Sequence, residues 1–310
     1  MDEHQKLREE IENGDFRALA RGLTFVENEI GSSATLLKRI SIKQNIPVIG
    51  ITGPPGAGKS TLVNAIVSHF VESGKRIAVL AIDPTSPFNF GSLLGDRIRM
   101  AAQFNNPNVY IRSVATRGSL GGISAKTLEM VDLIRSSKFD LILVETVGVG
   151  QSEVEIAGLA DKTIVVLVPE SGDEIQNIKS GLMEIAQAFV INKSDREGAE
   201  TFANNLKKLM NQQHQTIPVF KTVADKNEGI EVLCKWLIKP EAIHSRRNFL
   251  LAEKAFKIIQ QKRTADIDKV KLRNDIAVEM LKPDFNIYFF VDELLKKEGR
   301  KRQFRLKTPD

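Results

Sequence analysis

The stretch from Gly53 to Ser60 is a complete phosphate-binding loop with the pattern G-x-x-x-x-G-K-S. Its glycines let backbone N–H groups approach phosphate oxygens, because a residue without Cβ leaves space and tolerates positive φ. The helix expected near Lys59 adds the positive end of its dipole. In this pattern the lysine binds the β- and γ-phosphates, and the next hydroxyl binds Mg²⁺. The stretch therefore predicts a nucleoside triphosphate site formed by Gly53, Pro54, Pro55, Gly56, Ala57, Gly58, Lys59 and Ser60.

A second motif, Asn192-Lys193-Ser194-Asp195, has the N-K-x-D pattern of GTP-binding proteins and follows about 130 residues later. The carboxylate of Asp195 can accept hydrogen bonds from N1–H and the 2-amino group of guanine together, a pairing that adenine cannot offer. We expect Asn192 to hold neighbouring loops and the stem of Lys193 to lie over the base. The backbone of Val223 and Ala224 is a candidate donor to the guanine oxygen, although a plain strand end explains these residues equally well.

Carboxylates are needed beside Ser60, because Mg²⁺ prefers one or two of them together with phosphate and water oxygens. Glu145 ends a strongly apolar run, where a carboxylate is costly unless a metal or hydrogen bonds satisfy it. Gly148 follows closely, and its N–H is placed to sense a γ-phosphate, as in segments that order on nucleotide binding. Each acid alone has a second explanation as a loop cap or surface group, but together they supply the oxygen ligands that a phosphate loop needs. The candidate metal ligands beside Ser60 are Asp83, Asp96 and Glu145.

The length and composition indicate a single large α/β core with extensions. The 310 residues are enough for a core of about 200 residues. No apolar run approaches the ~18 residues of a membrane span, and the charged N-terminus lacks the apolar segment of a secretory signal. The single cysteine, Cys234, excludes an internal disulfide framework and a Cys₄ or Cys₂His₂ metal site. We therefore expect a cytoplasmic protein with no membrane partner.

The formal net charge of +5 comes from the C-terminal part of the chain. Residues 245–310 contain 17 Lys and Arg against 10 Asp and Glu, whereas the remainder has a balance of −2. These basic residues lie among apolar residues at helical spacing. We interpret them as a solvated helical surface or a face that docks a partner, and we do not expect nucleic-acid binding.

Apolar spacing divides the chain into three predicted segments. Residues 1–45 have helical periodicity and form an N-terminal cap. Residues 46–240 alternate between apolar strands and helical patterns, and the continuous apolar runs predict a mostly parallel sheet covered by helices on both faces. Residues 241–310 are helix-periodic without a sheet of their own, so their apolar faces pack either on the α/β domain or in a second subunit. The predicted strands are Val48–Thr52, Ile77–Ile82, Val109–Ser113, Leu141–Glu145, Ile164–Val168, Phe189–Asn192 and Val219–Thr222.

Several further stretches occur in the order found in one family. They are Ile82–Ser86, Gly91–Met100, Arg117–Gly122, Glu145–Glu153 and Gly172–Gln176. With the two nucleotide motifs, they resemble the methylmalonyl-CoA mutase-associated GTPases. The resemblance implies a P-loop GTPase of the SIMIBI class that protects, loads and reactivates adenosylcobalamin-dependent acyl-CoA mutases, methylmalonyl-CoA mutase in particular. It also implies that the C-terminal helices form a homodimer.

The resemblance also assigns roles to residues. It implies that Thr61 joins Lys59 and Ser60 in holding phosphates and Mg²⁺, and that Asp83, Asp96 and Glu145 form a metal and switch network. It further implies that residues Ser171 to Lys179 form a third switch, in which Lys179 approaches the nucleotide when a mutase is bound. The residues expected to act in catalysis are Lys59, Glu145 and Lys179.

We expect hydrolysis of GTP to GDP and phosphate by attack of water, slow in the protein alone and faster when a partner orders the switches. Glu145 is the candidate for orienting the water. Three alternatives stay open. A nickel or cobalt metallochaperone GTPase shares both motifs but should show Cys and His clusters, which this sequence lacks. An ATP-dependent kinase gives no reason for Asp195 after Asn192 and Lys193. A GTP-dependent binding module would make hydrolysis incidental.

Overall fold

The computed structural model describes two compact units, Met1–Lys257 and Ile258–Asp310. The described residues of the first unit are 3–28, 30, 33–43, 45–83, 103–115, 125–146, 156–170, 182–212, 216–239, 251–253 and 255–256. Those of the second unit are 258–260, 263–264, 266–282 and 284–305.

In the described part of the first unit, seven strands form one parallel sheet in the order β3-β2-β4-β1-β5-β6-β7. The predicted α/β class and each predicted strand are confirmed, with boundaries that differ by at most two residues. The strands are β1 Val48–Thr52, β2 Ile77–Asp83, β3 Val109–Ala115, β4 Leu141–Thr146, β5 Lys162–Leu167, β6 Ala188–Ile191 and β7 Val219–Lys221.

Helices pack against the sheet and join its strands. Those of the first unit are α1 Glu3–Asn13, α2 Phe16–Glu27, α3 Ser33–Arg39, α4 Lys59–Glu72, α5 Ala125–Ser136, α6 Leu182–Ile185, α7 Ala199–Gln212 and α8 Ile230–Leu237. Short 3₁₀ turns span Ile156–Gly158 and Ala224–Lys226.

The continuous apolar character of the strands follows from burial on both faces. In β2, Ala78, Leu80 and Ile82 join one core cluster, whereas Ile77 and Val79 join another. The first cluster also contains apolar residues of α1, α2, α3 and α5, and the second contains those of α4 and α8. Because alternate side chains of a strand point to opposite faces, both faces require apolar residues.

The N-terminal helices belong to the core of the first unit. Ile11, Leu19 and Leu23 are fully buried in the cluster that also holds strand residues. The carboxylate of Asp15 caps α2 by accepting from the N–H of Ala18 at 2.7 Å. These helices therefore bury one face of the sheet, and they span Glu3–Asn13, Phe16–Glu27 and Ser33–Arg39 of the segment predicted to be helical.

The described residues of the second unit form two longer helices, α9 Lys269–Glu279 and α10 Ile287–Arg305. Asp268 caps α9 by accepting from two backbone N–H groups. Large apolar side chains of this unit are exposed, among them Leu281, Tyr288 and Phe289. In the described residues, no helix combines the length and apolar character that a membrane span requires. The boundaries 1–45, 46–240 and 241–310 stay predictions.

Candidate nucleotide-binding site

The phosphate loop connects the carboxyl end of β1 to the N-terminus of α4. Gly53, Gly56 and Gly58 have φ of 139°, 79° and 82°, in the region that favours glycine. A Cβ on Gly53 would lie 2.2 Å from the carbonyl oxygen of Val166, and one on Gly58 would lie 2.4 Å from Nδ2 of Asn192. Space and backbone conformation therefore both require glycine at these two positions, and the loop passes close to β5 and to the N-K-x-D motif.

The ammonium group of Lys59 lies inside the curve of this loop. Its Nζ donates to the carbonyl oxygens of Gly53 at 2.8 Å and Pro54 at 2.9 Å. The residue is 7% exposed at the start of α4. These two bonds hold the ammonium group within the loop, where the sequence predicts the phosphates to bind. Thr61 lies in the first turn of α4 and is exposed.

Ser60 and Glu145 are joined by a buried hydrogen bond. Oγ of Ser60 donates to Oε1 of Glu145 at 2.7 Å, and the two residues are 5% and 2% exposed. The strand register produces this contact, because β1 and β4 are neighbours and Glu145 pairs with Ile51. A hydroxyl and a carboxylate at the carboxyl edge of the sheet are oxygen ligands of the kind that Mg²⁺ prefers. These residues therefore fit a magnesium ion.

A pair of threonines supports this corner of the site. Oγ1 of Thr146 donates to Oγ1 of Thr52 at 3.0 Å, and both residues are fully buried. Thr52 ends β1 directly before the phosphate loop, and Thr146 follows Glu145. The bond therefore ties the root of the loop to the strand that carries Glu145. This pair could not be predicted from the sequence, because threonine is common in strands and carries no motif there.

The remaining predicted residues of the metal and switch network are only partly described. Asp83 ends β2, and its neighbour Ile82 pairs with Thr146, so its backbone lies at the same edge of the sheet as Glu145. Asp96, Gly148 and Lys179 lie outside the described residues. Their assigned roles stay predictions.

Asn192 links the phosphate loop to the loop after β7. Its Nδ2 donates to the carbonyl oxygen of Ala57 at 3.0 Å. Its Oδ1 accepts from Oγ1 of Thr222 and from the N–H of Ala224, each at 3.2 Å. The residue is 2% exposed. Three loops that are distant in the sequence therefore meet at this side chain, as the prediction of a loop-holding Asn192 requires.

Lys193 bends over the phosphate loop. It has a φ of 55°, which is uncommon for a residue other than glycine, and its Nζ donates to the carbonyl oxygen of Gly56 at 2.9 Å. In the next residue, Ser194, the backbone N–H donates to the carbonyl oxygen of Thr222 at 3.0 Å. These bonds fix the backbone that leads to Asp195.

Asp195 is exposed and forms an ion pair that the sequence did not indicate. Its Oδ2 accepts from Nζ of Lys226 at 2.7 Å, and the two side chains are 41% and 54% exposed. The hydrogen bond from Lys226 holds the pKa of Asp195 below its usual value, and Arg196 adds to this effect. Sequence reasoning missed Lys226, because a lysine in a polar loop carries no recognisable pattern.

Val223 and Ala224 lie beside Asp195, but their N–H groups have partners. The N–H of Val223 donates to the carbonyl oxygen of Glu228 at 3.1 Å, and that of Ala224 donates to Asn192. Either group would have to share or exchange its acceptor to bind a guanine oxygen. The contact proposed for these two residues stays a prediction.

Sequence comparison places this site in a known family. The model of the family described as Methylmalonyl Co-A mutase-associated GTPase MeaB matches residues 19–280, a range that includes all predicted site residues. The chain belongs to the methylmalonyl-CoA mutase-associated GTPase family. The resemblance inferred from the sequence motifs is therefore confirmed, and the chain is a P-loop GTPase of this family.

Relatives of the MeaB family support the assignment. A Pyrococcus horikoshii protein, provisionally named a GTPase, is 43% identical over 277 residues, which are 86% of this chain and 84% of that protein. A Mycobacterium tuberculosis protein named a probable GTPase is 44% identical over 192 residues, 60% of this chain and 57% of its own. The mouse mitochondrial methylmalonic aciduria type A homologue is 47% identical over 147 residues, 47% of this chain and 35% of its own.

A solved structure shows the same fold. The crystal structure of a LAO/AO transport system kinase superimposes with a TM-score of 0.65 at 22% identity, covering 96% of this chain and 99% of that one. At this identity the likeness concerns the fold alone. It agrees with the parallel sheet and the surrounding helices described above.

Proposed function

We propose that this MeaB-family protein binds GTP with Mg²⁺, hydrolyses it to GDP and phosphate, and thereby assists an adenosylcobalamin-dependent acyl-CoA mutase. The observation that carries the nucleotide assignment is the bridge formed by Asn192. It joins the phosphate loop, through Ala57, to the loops that hold Asp195 and Ala224. A phosphate-binding element and a carboxylate suited to guanine are thereby held on one edge of the sheet.

The residues of the loop have separate tasks in this proposal. Backbone N–H groups of the loop and the N-terminus of α4 bind the phosphates, and Lys59 neutralises the charge that spreads over the γ-phosphate as water attacks. Glu145 keeps the hydroxyl proton of Ser60 directed towards itself, which leaves the oxygen lone pairs of Ser60 free to bind a cation. When bound, Mg²⁺ would supply charge neutralisation at the β- and γ-phosphate oxygens. The proposed site is completed by Thr61, Asp83, Asp96, Gly148 and Lys179.

The proposed partner follows from the family. The family description names methylmalonyl-CoA mutase, and the mouse relative is named for methylmalonic aciduria. We propose that this chain protects, loads or reactivates the mutase in the cytoplasm. The exposed apolar side chains of the second unit support a homodimer formed by residues 241–310. Under this proposal, residues 1–45 are the helical cap and residues 46–240 are the GTPase domain.

The guanine assignment can be tested by competition calorimetry with GDP, ADP and xanthosine diphosphate. The wild type should prefer GDP to ADP. Asp195→Asn should remove this preference, because the amide replaces one of the two acceptor oxygens by an NH₂ donor, which cannot pair with a donor of guanine. Xanthosine diphosphate, which carries an oxygen in place of the 2-amino group, should recover part of the binding. Equal affinity of the wild type for GDP and ADP would overturn the assignment.

The partner assignment requires a kinetic experiment. Single-turnover GTP hydrolysis should be slow in the protein alone and faster when methylmalonyl-CoA mutase is added. Bovine serum albumin at the same concentration is the control for nonspecific effects. A mutase that binds in the GTP state but leaves the rate unchanged would favour the non-catalytic binding module.

A further inference from the structure

The last two residues of β4 contact both ends of the phosphate loop. Oε1 of Glu145 accepts from Oγ of Ser60, the last residue of the loop motif. Oγ1 of Thr146 donates to Oγ1 of Thr52, which directly precedes the loop. We propose that Thr146 is a positioning residue for GTP hydrolysis, which acts through Thr52 to hold the root of the loop in line with Glu145. This inference rests on the proposed function, since it concerns the hydrolysis of GTP beside Ser60 and Glu145.

The two bonds lie on opposite faces of the sheet. Successive side chains of a strand point to opposite faces, so those of Glu145 and Thr146 point away from each other. Leu143, two residues before Glu145, packs in the core cluster that contains α4, the helix that carries Ser60. Val144, two residues before Thr146, packs in the cluster that contains α5. The end of β4 is therefore joined to the phosphate loop from both sides of the sheet.

The hydroxyl bond lies just beyond the point where the backbones of β1 and β4 stop pairing. The register of these two strands ends at the pair of Ile51 and Glu145. One residue further, Thr52 pairs with β5, and Thr146 pairs with β2. The two threonine side chains thus continue the connection between β1 and β4 beyond the last backbone pair. This is the level at which the phosphate loop begins.

Stability of the fold gives no reason for threonine at both positions. Thr52 and Thr146 are fully buried, and a buried hydroxyl has to recover the hydrogen bonds that it loses to water. Valine has nearly the same branched shape without the hydroxyl. Replacing both partners of a buried hydrogen bond by apolar groups of the same shape is close to neutral for stability. A pair of valines would therefore serve the core equally well, whereas the hydroxyl pair also fixes a distance and a direction between the two strand ends.

A fixed geometry between these strand ends matters more for the reaction than for binding. In the proposed function, GDP is held by the backbone of the loop and by contacts to its base. Hydrolysis also requires Glu145 to be aligned with Ser60 and the γ-phosphate. A small displacement of reacting groups slows a reaction strongly. The expected signature of a lost hydroxyl bond is therefore slower hydrolysis at unchanged GDP affinity.

Valine substitutions separate positioning from stability. The variants are Thr146→Val, Thr146→Ser and a double variant that combines Thr52→Val with Thr146→Val. The matched control is Thr163→Val in β5. Thr163 is also fully buried, but its Oγ1 has no hydrogen-bond partner in the part of the chain that the structure describes. For each protein we would measure single-turnover GTP hydrolysis, GDP affinity by calorimetry and the unfolding temperature, all with Mg²⁺ at neutral pH.

Thr146→Val should slow hydrolysis about tenfold and leave GDP affinity unchanged. It should also lower the unfolding temperature, because Thr52 keeps a buried hydroxyl that has lost its partner. The double variant should recover the unfolding temperature but not the rate, which a purely structural role would not produce. Thr146→Ser keeps the hydroxyl and should keep most of the wild-type rate. Thr163→Val should keep the rate without lowering the unfolding temperature, because it removes a hydroxyl that has no partner.

The inference is overturned if the double variant hydrolyses GTP at the wild-type rate, or if GDP affinity falls by the same factor as the rate. Equal slowing in Thr146→Ser and Thr146→Val would also overturn it, since the hydroxyl would then not be the group that acts. The same holds if Thr163→Val is slowed as much as Thr146→Val. These outcomes leave the proposed function intact as long as the wild type hydrolyses GTP and prefers GDP to ADP. If the wild type does neither, the proposed function fails first.

Discussion

The two halves of the proposed nucleotide site differ in burial. The phosphate half, formed by Lys59, Ser60 and Glu145, is 7%, 5% and 2% exposed. The base half, formed by Asp195 and Lys226, is exposed on the surface. Buried polar groups depend on each other for hydrogen bonds, whereas exposed ones exchange partners with water at little cost. We therefore expect substitutions in the phosphate half to change the rate of GTP hydrolysis, and substitutions in the base half to change nucleotide choice alone.

Asn192 connects the two halves, because its side chain forms hydrogen bonds with the phosphate loop and with the loop after β7. Its side chain is buried although Asp195, three residues later, is exposed. Changes in the phosphate half, at Asn192 and in the base half should therefore have different effects on hydrolysis, stability and nucleotide choice.

The largest expected effect is that of Glu145→Gln in the phosphate half. The amide keeps the size of the side chain and an acceptor for Ser60 but removes the negative charge. We expect single-turnover GTP hydrolysis to slow about 100-fold, since a charged group at the site of phosphoryl transfer is lost. The free energy of unfolding of the nucleotide-free protein should stay within about 1 kcal/mol or rise, because a buried charge is costly.

The control for this variant is Glu129→Gln, which changes a carboxylate that pairs with Lys126 at 2.9 Å on α5. It should leave hydrolysis unchanged. If Glu145→Gln instead unfolds the protein more easily by several kcal/mol, as urea titration would reveal, then Glu145 has a structural role and not the assigned one.

An intermediate effect is expected for Asn192→Ala at the joint. The substitution removes three hydrogen bonds from a buried position, so the free energy of unfolding should fall by about 2–4 kcal/mol. Affinity for GDP should fall about tenfold, because the two halves are no longer held together. Urea unfolding and calorimetry measure the two quantities.

Gln103→Ala is the matched control, since Gln103 is a buried carboxamide whose Nε2 donates to Oγ of Ser68 at 2.9 Å. It should lower stability without lowering GDP affinity in the fully folded protein. Equal losses of GDP affinity in both variants would show that Asn192 acts only through general stability.

The smallest effect is expected from pH in the base half. The pKa of Asp195 is lowered by the hydrogen bond from Lys226, so the carboxylate stays ionised to lower pH than an ordinary aspartate. The lowered pKa stabilises the folded state at pH values above the pKa of Asp195 in the unfolded chain. This stabilisation is lost as the pH falls through the pKa of Asp195 in the folded protein. The pair is exposed, so we expect this contribution to be minor.

The measurable consequence concerns nucleotide choice. The ratio of GDP to ADP affinity should stay constant from about pH 8 to about pH 5 and fall only under more acidic conditions. Because both nucleotides carry the same diphosphate, its titration cancels in the ratio. Lys226→Met should move the fall to higher pH. A ratio that already falls near neutral pH in the wild type would contradict an ionised, Lys226-paired Asp195.

The strands were predictable because their signal is local. Runs such as Leu141–Val144 are apolar throughout, and burial on both faces of a parallel sheet explains that pattern directly. The observed strand ends differ from the predicted ones: β5 begins at Lys162 and not at Ile164, and β3 extends to Ala115 and not to Ser113. Strand ends depend on pairing with neighbouring strands, which a single stretch of sequence does not contain.

The site was predictable where a motif fixes residue types. The phosphate loop indicated Lys59 and Ser60, and the N-K-x-D motif indicated Asn192 and Asp195. Lys226 was missed, and the engagement of the Ala224 N–H with Asn192 was not foreseen. Both depend on the turn after β7, whose conformation follows from its bridge and from two residues with positive φ.

The kinds of groups present and their order along the chain can be read from the sequence: a glycine-rich loop, an acid at the end of an apolar strand and a carboxylate suited to guanine. Which of these groups touch depends on how the strands are arranged in the sheet. Ser60 meets Glu145 because β1 and β4 are neighbours in register, and Asp195 meets Lys226 because β6 and β7 are adjacent. Such contacts join residues far apart in the chain, so they follow from the order of strands in the sheet and not from any local pattern.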